Sequence, residues 1–394
     1  SSEPARRSWT QVRSGLNAGL ARSIAAGGLA VSAAMSHPDR MRTPEHGRAP
    51  KKPTIDDVAR LSGVARTTVS RVLNGGPNVR DPVRRKVLEA VKALDYRVNP
   101  QARSLAGGAS GVLALILASD LDAEPNSFYA SALELGAIRE CLLAGFQLIT
   151  RHVPQDDPAA VQQLLEIATS QRCQGVILTP PFCDNVDLIR QLRTRGVHLA
   201  AVSPGGDGRG LIDAVGIDDE AGGRDIARHL IDLGHRRLAY LSGIPGHLSA
   251  KSRLDGVRRA MREAGLDEAA LVVEPGDFTF RSGGLIASRL LSLSPRPTAL
   301  ICANDDMAAG ALSVAHARGL QVPGDLSISG FDDTPVSGIV WPPLTTVHQP
   351  LKEMGGEAVR LLSGRIAGRD AGDWTFRTLP HAVVARESVG SWAG

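Results

Sequence analysis

Ten consecutive residues, Ala65 to Asn74 ("ARTTVSRVLN"), set two arginines, three hydroxyl side chains and an amide among four apolar positions. Arginine can donate two parallel hydrogen bonds to a guanine edge, an amide can pair with adenine, and Thr or Ser can donate to phosphate oxygens. If the stretch is helical, Val69 and Val72 share one buried face. Arg66, Thr67, Thr68, Ser70 and Arg71 then spread over faces that cannot all be buried. A solvated amphipathic helix would carry the same residues. The stretch alone therefore leaves DNA reading and plain surface both open.

A second set lies far downstream. Asn304 and Asp305 follow the apolar run "ALIC", Asp332 and Asp333 follow "LSISGF", and Arg253 and Phe278 stand in "SAKSRLDG" and "GDFTF". Paired carboxylates can act as acid and base, or can cap a following helix. For Asp333 the cap is the better fit. A carboxylate and an amide converging with a guanidinium also suit a polyol, because each can bind two hydroxyls. An ordinary surface ion pair is the competing reading of Arg253.

Elements are needed to hold these residues. Thr54 can cap a first helix, with Asp57 completing a capping box and Ile55, Val58 and Ala59 on one face. Gly63 permits a tight turn into a second helix, whose apolar set is Val64, Val69, Val72 and Leu73. Asp81-Pro82 offers an N-cap and a first-turn proline to a third, with Val83, Val87, Val91 and Leu94 inward. Three short helices with a glycine turn before the second make a helix-turn-helix, whose second helix enters the major groove by its N-terminal end. Beyond Gly111 the pattern changes. The runs "VLALIL", "FQLIT", "GVILTP", "VHLAAV", "RLAYLSG", "ALICAND" and "LSISGFDD" alternate with helical segments such as "DPAAVQQLLEIATS" and "EAGGRDIARHLIDLG". Such alternation predicts parallel sheets with helices on both faces.

Charge separates the same regions. Lys51–Ala109 carries 12 Lys/Arg against 5 Asp/Glu, residues 1–50 carry 7 against 3, and Ser110–Gly394 carries 26 against 33. A short basic segment on an acidic body points to a polyanionic partner for that segment, with a merely solvated basic face as the alternative. Cys141, Cys173, Cys183 and Cys302 form no CxxC pair and read as buried thiols in a reducing compartment. The histidines lack metal-ligand spacing, so no metal and no cofactor are expected. "GGDGRG" (205–210) lies between two strand-like runs and opens no helix, which excludes a dinucleotide loop. Residues 1–50 read as a disordered extension. Their Arg6, Arg7, Arg13 and Arg22 before "IAAGGLAVSAAM" imitate a secretory signal, and Met35 or Met41 as the true start is the rival reading.

"TIDDVARLSGVARTTVSRVLN", "NPQARSLAGG", "ANDDMAAGAL", "GFDD" and "PPLTTVHQP" together resemble the lactose/galactose-repressor (LacI/GalR) family, from about Lys52 to Val389. The resemblance implies an α/β chain: an N-terminal helix-turn-helix headpiece plus a periplasmic-binding-protein-like body of two doubly wound parallel-sheet subdomains. The expected divisions are the extension (1–50), the headpiece (51–98), a hinge helix and linker (99–110) and an effector-binding and dimerisation body (111–394). Crossovers near residues 216–238 and 336–350 would hinge the subdomains around a cleft. DNA contacts are implied for Thr54, Arg66, Thr67, Thr68, Ser70, Arg71, Asn74, Tyr96, Asn99, Ala102 and Leu105, the last two in the minor groove. Effector contacts are implied for Arg253, Phe278, Asn304 and Asp332, with Asp120 and Phe128 added from a stretch, "DLDAEPNSFYA", longer than the family pattern. Ala65 departs from the family's usual Ser, which removes an N-cap worth about 1 kcal/mol.

Three function classes are in competition. An enzyme lacks its nucleophile-base pair, metal cluster or phosphate loop. A secreted sugar-binding protein would explain the body but not residues 53–106. A cytoplasmic, ligand-controlled transcriptional regulator, most simply a repressor, explains both. The expected partners are a palindromic double-stranded operator, a second copy of the chain, and a small effector, a sugar or related polyol first and a nucleoside second. A body ending in "GSWAG", without heptads, suggests a dimer rather than a tetramer.

Overall fold

The computed structural model describes residues 53–73, 79–96, 111–119, 128–170, 173–206, 210–369 and 372–392. Residues 1–50, Asn74, the 99–110 segment with Asn99, Ala102 and Leu105, and Asp120 lie outside the described residues. Contacts divide the chain into two compact units, the first ending at Tyr96.

The first unit consists of Ile55–Ser62 (α1), Arg66–Leu73 (α2) and Asp81–Ala93 (α3). Thr54 Oγ1 accepts the Asp57 amide, and the Asp57 carboxylate accepts the Thr54 amide at 2.9 Å, closing the expected capping box. Gly63 ends α1 with φ 66°, a left-handed conformation that costs residues bearing a Cβ about 1–2 kcal/mol. The third helix corrects the expectation by one position. Arg80 stands at its N-cap without a side-chain bond, and Asp81 lies inside the first turn, facing the positive end of the helix dipole. Val58, Val69, Val72, Val87 and Ala90 form the small core, with Tyr96 packed against it.

In the second unit the chain first lays down Val112–Ala118 (β1), Phe128–Ala144 (α4), Gln147–Val153 (β2), Ala160–Ser170 (α5), Gly175–Leu178 (β3), Val186–Thr194 (α6), His198–Val202 (β4) and Asp213–Gly216 (β5). It then builds a second subdomain from Asp219–Asp232 (α7), Leu238–Ser242 (β6), Leu248–Glu263 (α8), Val272–Pro275 (β7), Phe280–Leu290 (α9), Ala299–Cys302 (β8), Asp305–Ala317 (α10), Ser327–Ser329 (β9), Pro335–Ile339 (α11) and Thr346–His348 (β10). Leu351–Ile366 (α12) and Phe376–Thr378 (β11) return to the first subdomain, and Ala382–Val384 (β12) goes back to the second.

The first sheet runs β11-β5-β4-β3-β1-β2 and the second β7-β6-β8-β9, every pair parallel; β10 and β12 form a separate antiparallel pair. The uniformly apolar β1 reflects burial on both faces. Leu113, Leu115 and Leu117 join the large cluster that includes α4 and α12, while Ala114 and Ile116 pack toward α5 and α6.

Three segments link the subdomains: 216–219, 348–351 and 378–382. Two broader ones were expected. Most of 216–238 is α7, which packs so closely on α8 that a Cβ on Gly223 would stand 2.0 Å from the Arg253 carbonyl oxygen. The third was missed because β11 and β12 have only three residues each.

Candidate functional site

The α2 helix separates its residues as its spacing requires. Val69 and Val72 are buried, Arg66, Thr67 and Arg71 are exposed, and Thr68 and Ser70 are half-buried. The Ala65 carbonyl accepts the Thr68 and Val69 amides at 2.8 and 3.0 Å, so Ala65 occupies the N-cap position with no side-chain acceptor to offer. Arg66 Nε lies 3.6 Å from an Asp56 carboxylate oxygen, both groups well exposed. Such a surface pair holds by about 1 kcal/mol at most, so it leaves the guanidinium available to a stronger partner. The Thr54 hydroxyl is already engaged, donating to Asp57 at 2.7 Å.

In the second unit, a cavity of ≈ 380 Å³ lies between the subdomains. That volume is within the range of about 300–1,000 Å³ usual for small-ligand sites. The first subdomain lines it with residues that include Ser119, Tyr129, Gln155, Asp156 and Thr179, and the second with His247, Arg253, Asp277, Phe278, Asn304 and Asp332. Nearly all of these residues follow the carboxyl ends of strands, where open α/β sheets hold ligands.

Arg253 is the centre of the site. Only 5% exposed, it donates from Nε to Asp219 Oδ1 at 2.8 Å and from Nη1 to the Ala303 carbonyl at 2.7 Å. Nη1 also stands 3.6 Å from Asp332 Oδ1, and the guanidinium carbon lies 3.8 Å from the Phe331 ring centroid. Burial is the largest influence on this arginine and opposes its charge, yet Asp219 and Asp332 keep the cation favoured. A surface ion pair it is not. Asp332, with φ 104°, donates its amide to the Val347 carbonyl at 2.8 Å and accepts Gln349 Nε2 on Oδ1 at 2.6 Å. Burial pushes its carboxyl up to about 7, against the pull of Arg253 and Gln349. Gln349 belongs to the 348–351 crossover, so a cleft carboxylate is tied directly to a segment that joins the subdomains.

Asn304 and Phe278 form another part of the wall. Asn304 Oδ1 accepts the Met307 amide at 3.0 Å, capping α10, and its Nδ2 donates to the Phe278 carbonyl at 2.9 Å. Asn304 thus positions Phe278 as well as lining the cavity. Phe278 has φ 67° and meets His247 edge-on, ring centroids 5.1 Å apart. Gly243 provides the room, since a Cβ there would stand 2.0 Å from Phe278 Cζ. Burial and the neighbouring Arg253 hold His247 down to about 4, so it is neutral at physiological pH.

Two expectations need correcting. Phe128 is 44% exposed and borders a different cavity with Leu135, His348 and Lys352; its neighbour Tyr129 is the one that lines the cleft. One residue is about 100° of helix, enough to exchange the two rings. Asp333 does not cap α11: it accepts from Arg386 at 2.5 Å, from the Ser337 hydroxyl at 3.2 Å and pairs with His348 at 3.0 Å. Asp305 is also structural, accepting the Thr334 amide at 2.7 Å and the Thr346 hydroxyl at 2.6 Å. Sequence reasoning missed Tyr129, His247, Asp277 and Asp219. The rule that ligands sit past strand ends would have found Asp277, which follows β7 by two residues. Nothing short of the packing of α7 on α8 would have found Asp219.

A family model described as "Bacterial regulatory proteins, lacI family" matches residues 54–99, and one described as "Periplasmic binding protein-like domain" matches residues 227–389. Catabolite control protein A of Priestia megaterium is 34% identical over 339 residues, covering 85% of this chain and 99% of the relative. The transcriptional regulator CelR of Thermobifida fusca is 35% identical over 322 residues, covering 81% and 93%. Among solved structures, the CelR-cellobiose complex has 33% identity and a TM-score of 0.64, covering 85% of this chain and 99% of that one. The Lac repressor dimer bound to operator and the anti-inducer ONPF has 27% identity and a TM-score of 0.70, covering 86% and 100%. The similarity spans both the reading helix and the cleft, and these relatives are regulators, not enzymes. The chain belongs to the lacI family of bacterial transcriptional regulators.

Proposed function

We propose that the chain acts in the cytoplasm as a repressor, binding a palindromic operator as a homodimer under the control of a polyhydroxylated ligand, most simply a sugar, held in the cleft. The observation that carries the ligand reading is the buried Arg253–Asp219–Asp332 cluster beside Phe278, where a carboxylate and a guanidinium meet an aromatic face. Sugars present this combination of hydroxyl edges and an apolar face. The CelR-cellobiose complex agrees in kind.

On the DNA side, Arg66, Thr67 and Arg71 read base edges from the exposed face of α2, while Thr54, Thr68, Ser70, Asn74, Tyr96 and Asn99 fix the register on the backbone. Ala102 and Leu105 of the 99–110 segment enter the minor groove, where a wedged Leu105 kinks the duplex. A second copy supplies the two-fold symmetry that a palindrome requires. Leu142 and Leu143 on α4, with Ile339 and Trp341, all more than 70% exposed, are apolar groups that self-association would cover.

Gel shifts on genomic fragments, with and without a library of small sugars and nucleosides, test the proposal. It expects one sugar to change the affinity for one palindromic fragment. A palindrome that binds but responds to nothing polyhydroxylated would remove the sugar reading and leave the DNA reading standing.

A further inference from the structure

The charged groups around the cleft are unequal in number. Among the described lining residues, Arg253 faces Asp156, Asp277 and Asp332, while Asp219 lies buried behind it. Arg253 is already matched twice, at 2.8 Å by Asp219 and at 3.6 Å by Asp332. His247 brings no second cation, because burial and Arg253 keep it neutral. Burial also acts on Asp277, but its bonds with Ser282 and Thr279 outweigh it and hold the carboxyl below the usual range, hence charged. Among the described lining residues an incoming anion would find no cation that is not already matched, and would meet at least one ionised carboxylate, Asp277. Asp156 and Asp277 are both exposed, so that repulsion is screened by salt and is felt most at low ionic strength.

We infer that the effector carries no negative charge: the cleft takes a neutral polyol or its amine-bearing counterpart and excludes sugar phosphates, uronates and nucleotides. The inference rests on the proposal that the ligand is polyhydroxylated and narrows it to one charge class. The geometry supplies the reason. Asp277, next to Phe278 in the chain, and Asp156 line the same cavity as Arg253 and Asp332, so a ring held there shares the cavity with both carboxylates. An ammonium there gains a partner, and a phosphate or carboxylate there gains a like charge.

Calorimetry on the full chain at low ionic strength tests this with matched sets: glucose, glucosamine, glucose 6-phosphate and glucuronate; cellobiose and cellobionate; adenosine and AMP. Whichever neutral parent binds, its anionic derivative is expected to bind at least tenfold more weakly, and its amine derivative at least as tightly. In Asp277→Asn the anionic penalty should shrink severalfold. An anionic derivative that binds as well as its parent overturns the inference while leaving a polyhydroxylated effector in place. If no neutral or amine member of any set binds, the sugar reading fails instead. The charge claim is then read from inorganic phosphate alone in thermal unfolding. Stabilisation no greater than that from matched chloride supports it, whereas saturable stabilisation that Arg253→Ala removes overturns it.

Discussion

The reading helix and the cleft achieve recognition by opposite means. On α2 the side chains proposed to read bases, Arg66, Thr67 and Arg71, are exposed, and the ion pair of Arg66 with Asp56 is weak and easily exchanged. In the cleft the informative side chains are buried and already engaged. Arg253 holds two carboxylates and a carbonyl, Asp332 holds Gln349, and Asn304 holds Phe278. Recognition of DNA thus rests on contacts formed at binding, and recognition of the ligand on a network formed at folding. Substitutions in α2 should change which sequence is bound and spare the fold. Those in the cleft should change stability and ligand response together.

The largest effect is expected from Arg253→Ala. It leaves Asp219 and Asp332 buried without their cation, which costs about 3–5 kcal/mol when one member of a buried pair is removed. Denaturant unfolding of the body should register that loss, and the ligand response should vanish while operator affinity without ligand stays close to wild type. Unchanged stability would mean that the cluster is hydrated and not the tight network described. Gly243→Ala comes next. The added Cβ must displace the Phe278 ring, an overpacking cost of about 1–3 kcal/mol. Calorimetry should find weaker ligand binding with DNA affinity unaffected.

On the other side of the comparison, Arg71→Ala should lose about 1–3 kcal/mol at a single base position of the half-site. Equal weakening on every sequence would make Arg71 a phosphate contact. Ala65→Ser should restore the missing N-cap of α2 and stabilise the first unit by about 1 kcal/mol, read from its thermal midpoint.

A further effect is one of pH. Burial raises Asp332 from the ordinary aspartate value near 4 to about 7, so between those values the folded protein binds more protons at this site than the unfolded chain. Stability therefore falls as pH rises through that window, where His247, lowered to about 4, acts in the opposite sense. Comparing wild type with Asp332→Asn isolates the carboxyl. Wild type should lose ground to the variant from pH 4 to 7 and hold a constant offset below pH 4.

The parts of this molecule legible in the sequence are those governed by local periodicity or by a motif. The capping box of Thr54 and Asp57 and the buried Val69 and Val72 follow from spacing alone. β1, β3 and β8 were visible as apolar runs because burial on both faces leaves no polar alternation. Arg253 and Asp332 came from resemblance and do line one cavity. What stayed hidden depends on contacts between segments distant in sequence. Asp219 meets Arg253 across 34 residues, and β11 owes its strand geometry to pairing with β5, since "FRT" has no apolar pattern of its own. Tyr129, not Phe128, lines the cleft, because the register of a helix start is fixed by packing, which spacing does not encode.

Ligand control of the operator requires that the cleft and the DNA-reading unit share one equilibrium. Coupling of that kind is reciprocal: for a dimer with two clefts, the factor by which saturating ligand changes operator affinity must equal the product of the factors by which operator changes ligand affinity at the two clefts. The most direct measurement is therefore a pair of titrations on the full chain, operator binding with and without saturating ligand, and ligand binding with and without saturating operator. The two directions should agree in this way, with a factor per cleft within the range of about 5- to 150-fold usual for such coupling. Ligand binding in the cleft with the same affinity whether or not operator is present would contradict it.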